Sequence, residues 1–288
     1  MKKVLVTGAS GQLGSEIRLL SAQYADREFV FTDYQELDIT DMQAVITYVM
    51  ENKFYALINC AAYTAVDKAE SDRDKAYLIN EAGAGYLAEA AAQSGAKFVH
   101  ISTDFIFDGS HSTPIEEDDT AAPLSVYGAS KLAGEIAVMN ANSDSIIFRT
   151  SWVYSSFGGN FVKTMLRLCT EREKLSVIFD QTGTPTYARD LAQAILDTLD
   201  TARDKNISGV YHYSNEGVAS WYDFAIAIRD IAGLKTKIIP IETSEYPTPA
   251  IRPKYSVLNK KKVKDTFGIE IPYWRDSLVA CMTLITAQ

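Results

Sequence analysis

A chain of 288 residues, 47% hydrophobic and 23% charged, has room for one large α/β body with a smaller companion, and its composition is neither fibrous nor disordered. Its formal net charge of −9 argues against nucleic acid or an anionic membrane as the main partner, and no apolar run approaches the ~20 residues that cross a bilayer. Three scattered cysteines (Cys60, Cys169, Cys281) and three scattered histidines favour buried thiols in a reducing compartment over disulfides or a His/Cys metal site.

The opening "MKKVLVTGAS" has the charged start and apolar run of a secretory signal. The run is too short, however, and leads into glycines instead of a cleavage site, so it reads as the first buried strand of a cytoplasmic protein. Gly8-x-x-Gly11-x-x-Gly14 follows at once, where a strand turns into a helix. Residues without Cβ let backbone approach a pyrophosphate, and the helix N-terminus offers free N–H groups to that anion. The next strand, "EFVFT", ends at Asp33, about 20 residues beyond the glycines, where an acid can accept from ribose hydroxyls. No Arg or Lys follows in "DYQELD" to hold a 2′-phosphate, which favours NADH over NADPH.

Further apolar runs, "YALINCAA", "KFVHIST" and "SIIFRTS", alternate with helical patterns such as "AYLINEAGAGYLAEAAAQSG", which Gly95 closes. Strand and helix in repetition predict a Rossmann-type, doubly wound parallel sheet with helices on both faces. Residues 1–151 are expected to form this dinucleotide-binding domain. From Trp152 onward the regularity is lost. "YSSFGGNFVKTMLRLC" starts a helix after a Gly-rich turn, and "FDQTGTPTYARDLAQAIL" is a loop entering another. "GVYHYSNEG" reads as one more core strand, while Pro240, Pro247, Pro249 and Pro253 make residues 238–255 extended or looped. Residues 152–288 are expected to form a smaller C-terminal substrate-binding lobe, with segments near 187–216 returning to the main sheet.

The sharpest chemical signal lies in "VYGASKLAGE". Tyr127 is the only one of 16 tyrosines with a Lys four residues on, at Lys131. One helical turn places both on one face. A phenol with pKa near ~10 is a poor proton relay at neutral pH, and a neighbouring ammonium favours its ionised form. Thr103, ending the fourth strand in "HISTDFIFDG", can donate a hydrogen bond to a substrate oxygen. Together the three can protonate a carbonyl oxygen as hydride reaches its carbon.

The glycine loop, the strand-end Thr and the Tyr-x-x-x-Lys pair resemble the extended short-chain dehydrogenase/reductase superfamily. "NCAAYTAVDKAE", "STDFIFDG", "RTSWVYS", "GTPTYARDLA" and the closing "RPKYSVLNKKKVKDTFGIEIPYWRDSL" resemble, over nearly the whole chain, the dTDP-4-dehydrorhamnose reductase family. That resemblance implies reduction of the 4-keto group of dTDP-4-dehydro-L-rhamnose to dTDP-L-rhamnose, for cell-surface polysaccharide synthesis. Carried over by position, it makes Thr103, Tyr127 and Lys131 catalytic. It implies that Gly8, Gly11, Gln12, Leu13 and Gly14 hold the pyrophosphate and that Asp38 and Ile39 contact the adenine. Ala61, Ala62 and Tyr63 would line the path to the nicotinamide. Trp152 would contact the sugar beside Asp104 and Phe105, and Arg252 the diphosphate.

Two departures stand out. Phe105 replaces the Tyr usual in the family, removing a hydroxyl at the sugar. Some members bind Mg²⁺ near a dimer interface; Glu16 could serve, but Arg189 stands where they carry an acid, so no metal is expected, and a homodimer is left open. Two alternatives remain at this level. One is a nucleotide-sugar epimerase or dehydratase, although a dehydratase needs Thr-Asp-Glu where this chain has Thr103-Asp104-Phe105. The other is a non-catalytic regulatory subunit like that of methionine adenosyltransferase.

Overall fold

The computed structural model describes residues 1–286. Five strands alternate with helices in the first half: β1 (Lys2–Thr7), β2 (Arg27–Thr32), β3 (Ala56–Asn59), β4 (Lys97–Thr103) and β5 (Ile146–Thr150). A sixth strand, Gly209–His212, joins them from far along the chain. The sheet is wholly parallel, in the order Gly209–His212, β5, β4, β3, β1, β2. The order reverses beside β1, which leaves a crevice at the carboxyl ends of the strands.

Helices cover both faces, as the near-continuous apolar strands require. In chain order the first half contributes α1 (Gln12–Leu20), α2 (Met42–Asn52), the short α3 (Val66–Ala69) and α4 (Arg73–Tyr77), α5 (Ala84–Ser94) and α6 (Val126–Ala141). Ile17 and Leu20 of α1 share one apolar core with Leu191, Ile195 and Leu199 of the helix Ala188–Asp204. Val45 of α2, Leu87 of α5 and Val138 of α6 pack on the opposite face.

The long pattern "AYLINEAGAGYLAEAAAQSG" folds as one helical run with a widened turn in it. Between α4 and α5 the residues Leu78–Gly83 form a π-helical turn, and Gly95 ends the run at φ +68°. A π-turn inserts one residue per turn and re-aims side chains, frequently at functional sites. Here it turns Asn80 inward, where its amide bonds both the N–H and the C=O of Tyr63 and the hydroxyl of Ser130.

A second apolar core gathers Val162 and Met165, Phe224 and Ile228, and Leu278 and Met282 from three helices, Phe161–Glu171, Trp221–Ile231 and Trp274–Thr286. Against it lies a pair of parallel strands, Lys174–Ile178 and Lys237–Ile241. The prolines predict extended or looped chain for the second of these, and no pattern predicts the first. Pro240 sits within the pairing without breaking it, because a two-stranded sheet consists of edges and an edge strand tolerates the missing N–H.

Candidate active site

A cavity of about 1210 Å³ opens along the carboxyl ends of β1 to β5 and is closed on its far side by Trp152, Gly158–Asn160, Trp221 and Arg252. Its floor begins at the glycine loop. Gly8 has φ +65°, and a Cβ there would stand 2.6 Å from the backbone nitrogen of Ala61. A Cβ on Gly14 would lie 2.5 Å from the Gly8 carbonyl oxygen, so Gly14 serves strand–helix packing and does not line the cavity. Gly11 caps α1 with no side chain on the helix amides, which leaves that N-terminus to the cavity. Gln12 and Leu13 line it too; the Gln12 side chain accepts from Asn160 Nδ2 at 2.9 Å, tying the loop to the second core.

At the other end Asp33 follows β2 at the cavity rim, its Oδ2 accepting from both the backbone and the hydroxyl of Ser10, at 2.9 and 2.5 Å. Asp38 and Ile39 line the same end, Asp38 being turned by its bonds from Thr40. Ala61 and Ala62 line the middle. Tyr63 does not: its hydroxyl donates to Asp72 at 3.1 Å, away from the cavity.

The Thr-Tyr-Lys group converges between these ends. Ser125 caps α6 by accepting from Gly128 N–H, which sets Tyr127 in the first turn and Lys131 one turn on. The Thr103 hydroxyl donates to Asp104 Oδ1 at 3.0 Å and stands beside the Tyr127 phenol. Phe105 meets the Tyr127 ring edge-on, with centroids 5.5 Å apart. Burial pushes the Tyr127 phenol up to about 12, the Asp104 charge adds to this, and the Thr103 hydrogen bond opposes it.

The expectation that the Lys131 ammonium draws Tyr127 toward phenolate therefore needs correction. Lys131 donates instead to the Ile101 carbonyl at 2.6 Å and lies 3.3 Å from His100 Nε2. Burial brings its own ammonium down to about 8, against the opposing pull of Glu135. What the chain presents is a protonated phenol, the form a proton donor needs. Asp104 is almost wholly buried, and burial holds its carboxyl up at about 6, opposed by the neighbouring Ser256 and Thr103 hydroxyls, of which Thr103 donates to Oδ1. Its Oδ2 has no partner among the described residues.

Trp152 adopts φ +47°, a strained backbone for a large side chain. Its indole stacks on Trp221 with centroids 3.7 Å apart and planes within 9°. Gly183 leaves it room, since a Cβ there would come within 2.8 Å of the ring. Arg252 is no solvated loop residue: it grips Asp67 through both oxygens, at 2.8 and 3.0 Å, and faces the cavity. Glu16 is fully buried, with Oε1 taken by Ser155 at 2.7 Å and Oε2 by Arg189 at 2.9 Å. A carboxylate already matched by a guanidinium does not fit a divalent cation.

The residues that sequence reasoning overlooked are Trp221, Asn80 and Asn160. No local spacing signals a stacking partner or a bridge to a distant loop.

This sheet, with an open helix N-terminus over a glycine cradle and a Thr-Tyr-Lys group beside it, defines a dinucleotide-binding oxidoreductase of the extended short-chain dehydrogenase/reductase type. The sequence model described as RmlD substrate binding domain matches residues 1–286. The dTDP-4-dehydrorhamnose reductase of Burkholderia thailandensis is 42% identical over 299 residues, covering 99% of this chain and 100% of that protein. The crystal structure of a dTDP-4-dehydrorhamnose reductase from Clostridium acetobutylicum superposes with a TM-score of 0.94 at 44% identity, covering 99% of both chains. That of the Bacillus anthracis reductase, in complex with NADP, gives 0.92 at 40% identity, covering 98% of this chain and 99% of that one. The chain belongs to the dTDP-4-dehydrorhamnose reductase family.

Proposed function

We propose that the protein reduces the 4-keto group of dTDP-4-dehydro-L-rhamnose to give dTDP-L-rhamnose for cell-surface polysaccharide. The observation that carries this reading is the meeting of Thr103, a protonated Tyr127 and Lys131 in one cavity with the glycine cradle. Residues 1–151 with the returning strand would hold the dinucleotide, and the lobe from residue 152 the sugar nucleotide. When bound, the dinucleotide supplies the hydride that adds to C4. Tyr127 gives its phenolic proton to the O4 that becomes a hydroxyl, and the Thr103 hydroxyl holds that oxygen in line. Lys131, with a hydrogen to spare beyond the one it gives Ile101, would hold the nicotinamide ribose, and Ala61 and Ala62 would line its path. The unpartnered Asp104 Oδ2 accepts from a sugar hydroxyl, which relieves a buried orphan acceptor. Trp152, backed by Trp221, gives the sugar a flat apolar wall. Arg252, preset by Asp67, meets the diphosphate.

The test is oxidation of NADH, and separately NADPH, by the purified protein given dTDP-4-dehydro-L-rhamnose. Sugar-dependent oxidation yielding dTDP-L-rhamnose is the expected result; no oxidation with either cofactor would remove the reading. Among the described residues no helix is long and apolar enough to cross a membrane. We place the protein in the cytoplasm; a homodimer is open to it, and sedimentation at working concentration decides between that and a monomer.

For the choice of cofactor we infer a preference for NADH, because the Asp33 carboxylate at the cavity rim accepts ribose hydroxyls and repels a 2′-phosphate. Asp33→Ala should narrow the ratio of kcat/KM for NADH over NADPH by about tenfold, the effect of ~1.4 kcal/mol. An unchanged ratio would leave Asp33 as the turn residue that its bonds to Ser10 already make it.

A further inference from the structure

Thr7, Asn59 and His100 stand side by side on three neighbouring strands, Thr7 paired in register with Asn59 and Asn59 with His100. Their side chains form a single hydrogen-bonded row that ends at Lys131. Thr7 Oγ1 donates to Asn59 Oδ1 at 2.7 Å, Asn59 Nδ2 lies 3.1 Å from His100 Nδ1, and His100 Nε2 lies 3.3 Å from Lys131 Nζ. All four residues are buried, none more than 2% exposed. The reaction as derived above has no use for the first three.

The row has a direction. The backbone N–H of Ala61 donates to Asn59 Oδ1 at 3.1 Å, which fixes that atom as the carbonyl oxygen and Nδ2 as the donor toward His100. His100 Nδ1 therefore accepts, and a neutral imidazole that accepts at Nδ1 carries its proton on Nε2. Burial, with the Lys131 charge, keeps this imidazole neutral far below its ordinary range. Its Nε2–H thus points at the Lys131 nitrogen. A free amine accepts that hydrogen, whereas an ammonium opposes donor to donor. The Ile101 carbonyl accepts from either form and so does not distinguish them.

The geometry points to His100 as a positioning residue for the reaction: through the tautomer that Asn59 imposes, it biases Lys131 toward the free amine. It thereby sets the pH above which the cofactor meets no charge there. This rests on the role given to Lys131 in the proposed function. The other groups around Lys131 act differently. Glu135, one turn further along α6, favours the ammonium. The Cys60 thiol at the end of β3 is pushed up to about 12 by burial and stays uncharged, as does the Tyr127 phenol. Just past β4, Asp104 lies beyond Thr103, and its charge acts on Tyr127, which it helps keep protonated, rather than on Lys131. His100 supplies a polarised N–H aimed at Nζ.

The substitution that isolates the effect is Asn59→Asp. It keeps an acceptor toward Thr7 and Ala61 and replaces the amide donor with a second acceptor. The imidazole proton then moves to Nδ1, and Nε2 becomes an acceptor for an ammonium. Lys131 titration can be followed directly in the full-length protein by the 13Cε resonance of labelled lysine, assigned by its loss in Lys131→Met. In the unsubstituted protein the midpoint should fall near 8. Asn59→Asp should raise it by about one pH unit or more, a tenfold gain in proton affinity, and the alkaline limb of kcat/KM should move with it.

The carboxylate that Asn59→Asp introduces acts through space as well, so the same change is made in a His100→Phe background, or His100→Leu if that variant does not fold. There the rise should be several-fold smaller. Equal rises with and without the imidazole, or no rise at all, would overturn the role of His100. Wild-type turnover in Lys131→Met would overturn instead the reading of Lys131 on which it rests.

Discussion

Replacing Tyr127 by Phe should lower turnover by about 10²–10⁴-fold, the range that a positioned proton donor contributes. The change removes one oxygen and keeps the ring that packs edge-on against Phe105. The Gly8 cradle and the N-terminus of α1 do not touch it, so dinucleotide binding, measured by fluorescence titration, should stay within a few-fold of the unsubstituted protein. Loss of turnover with retained binding separates a missing proton from a collapsed site. Near-normal turnover would mean that the proton comes from elsewhere, and Asp104, held at about 6 by burial, would be the first alternative to examine.

Removing Glu135 should cost more in stability than any other single change at the site. Arg149 on β5 is buried and spends its guanidinium on Glu135, with Nη2 to Oε2 at 2.8 Å and Nε to Oε1 at 3.0 Å. A further guanidinium nitrogen reaches the carbonyl of Glu117, and Ser102 donates to the Glu135 carboxylate. Breaking a buried pair from one side leaves an uncompensated charge, at a cost of about 3–5 kcal/mol. Glu135→Ala should therefore lower the melting temperature by roughly 6–20 °C. Glu135→Gln, which keeps one acceptor, should fall between the two. A loss below ~1 kcal/mol would mean that water reaches Arg149 and the pair is not sealed. Activity should fall as well, because the same helix face carries Tyr127, Lys131 and Glu135 at successive turns.

That face shows why part of the site is legible in the sequence. Tyr127 and Lys131 are joined by helical period, and Thr103 by its place at a strand end, so the pattern carries the geometry. The glycine loop is legible for the same reason: Gly8 and Gly14 sit where a Cβ would strike backbone. His100 is hidden inside "KFVHIST", a run that reads as one more apolar strand; only the register of three strands brings it beside Asn59. Trp221 is hidden too, because its stacking on Trp152 depends on a backbone at φ +47° that no propensity predicts. Arg252 presents the opposite difficulty. A loop arginine looks solvated until Asp67, distant in sequence, is seen to grip it. The strand Lys174–Ile178 is illegible because its partner holds a proline and follows only after two helices.

The returning strand Gly209–His212 has a consequence for how the molecule comes into being. It completes the main sheet beside β5, and the helix before it seals the core over α1. During synthesis at about 5–20 residues per second, the first half leaves the ribosome several seconds before either piece exists. Over that interval β5 is a bare edge, and the apolar flank of α1 faces water. The nascent protein therefore passes through an obligatory unfinished stage, in which holdase chaperones or a bound dinucleotide would find their main opportunity to act. A gene cut after the fifth strand would make that stage permanent.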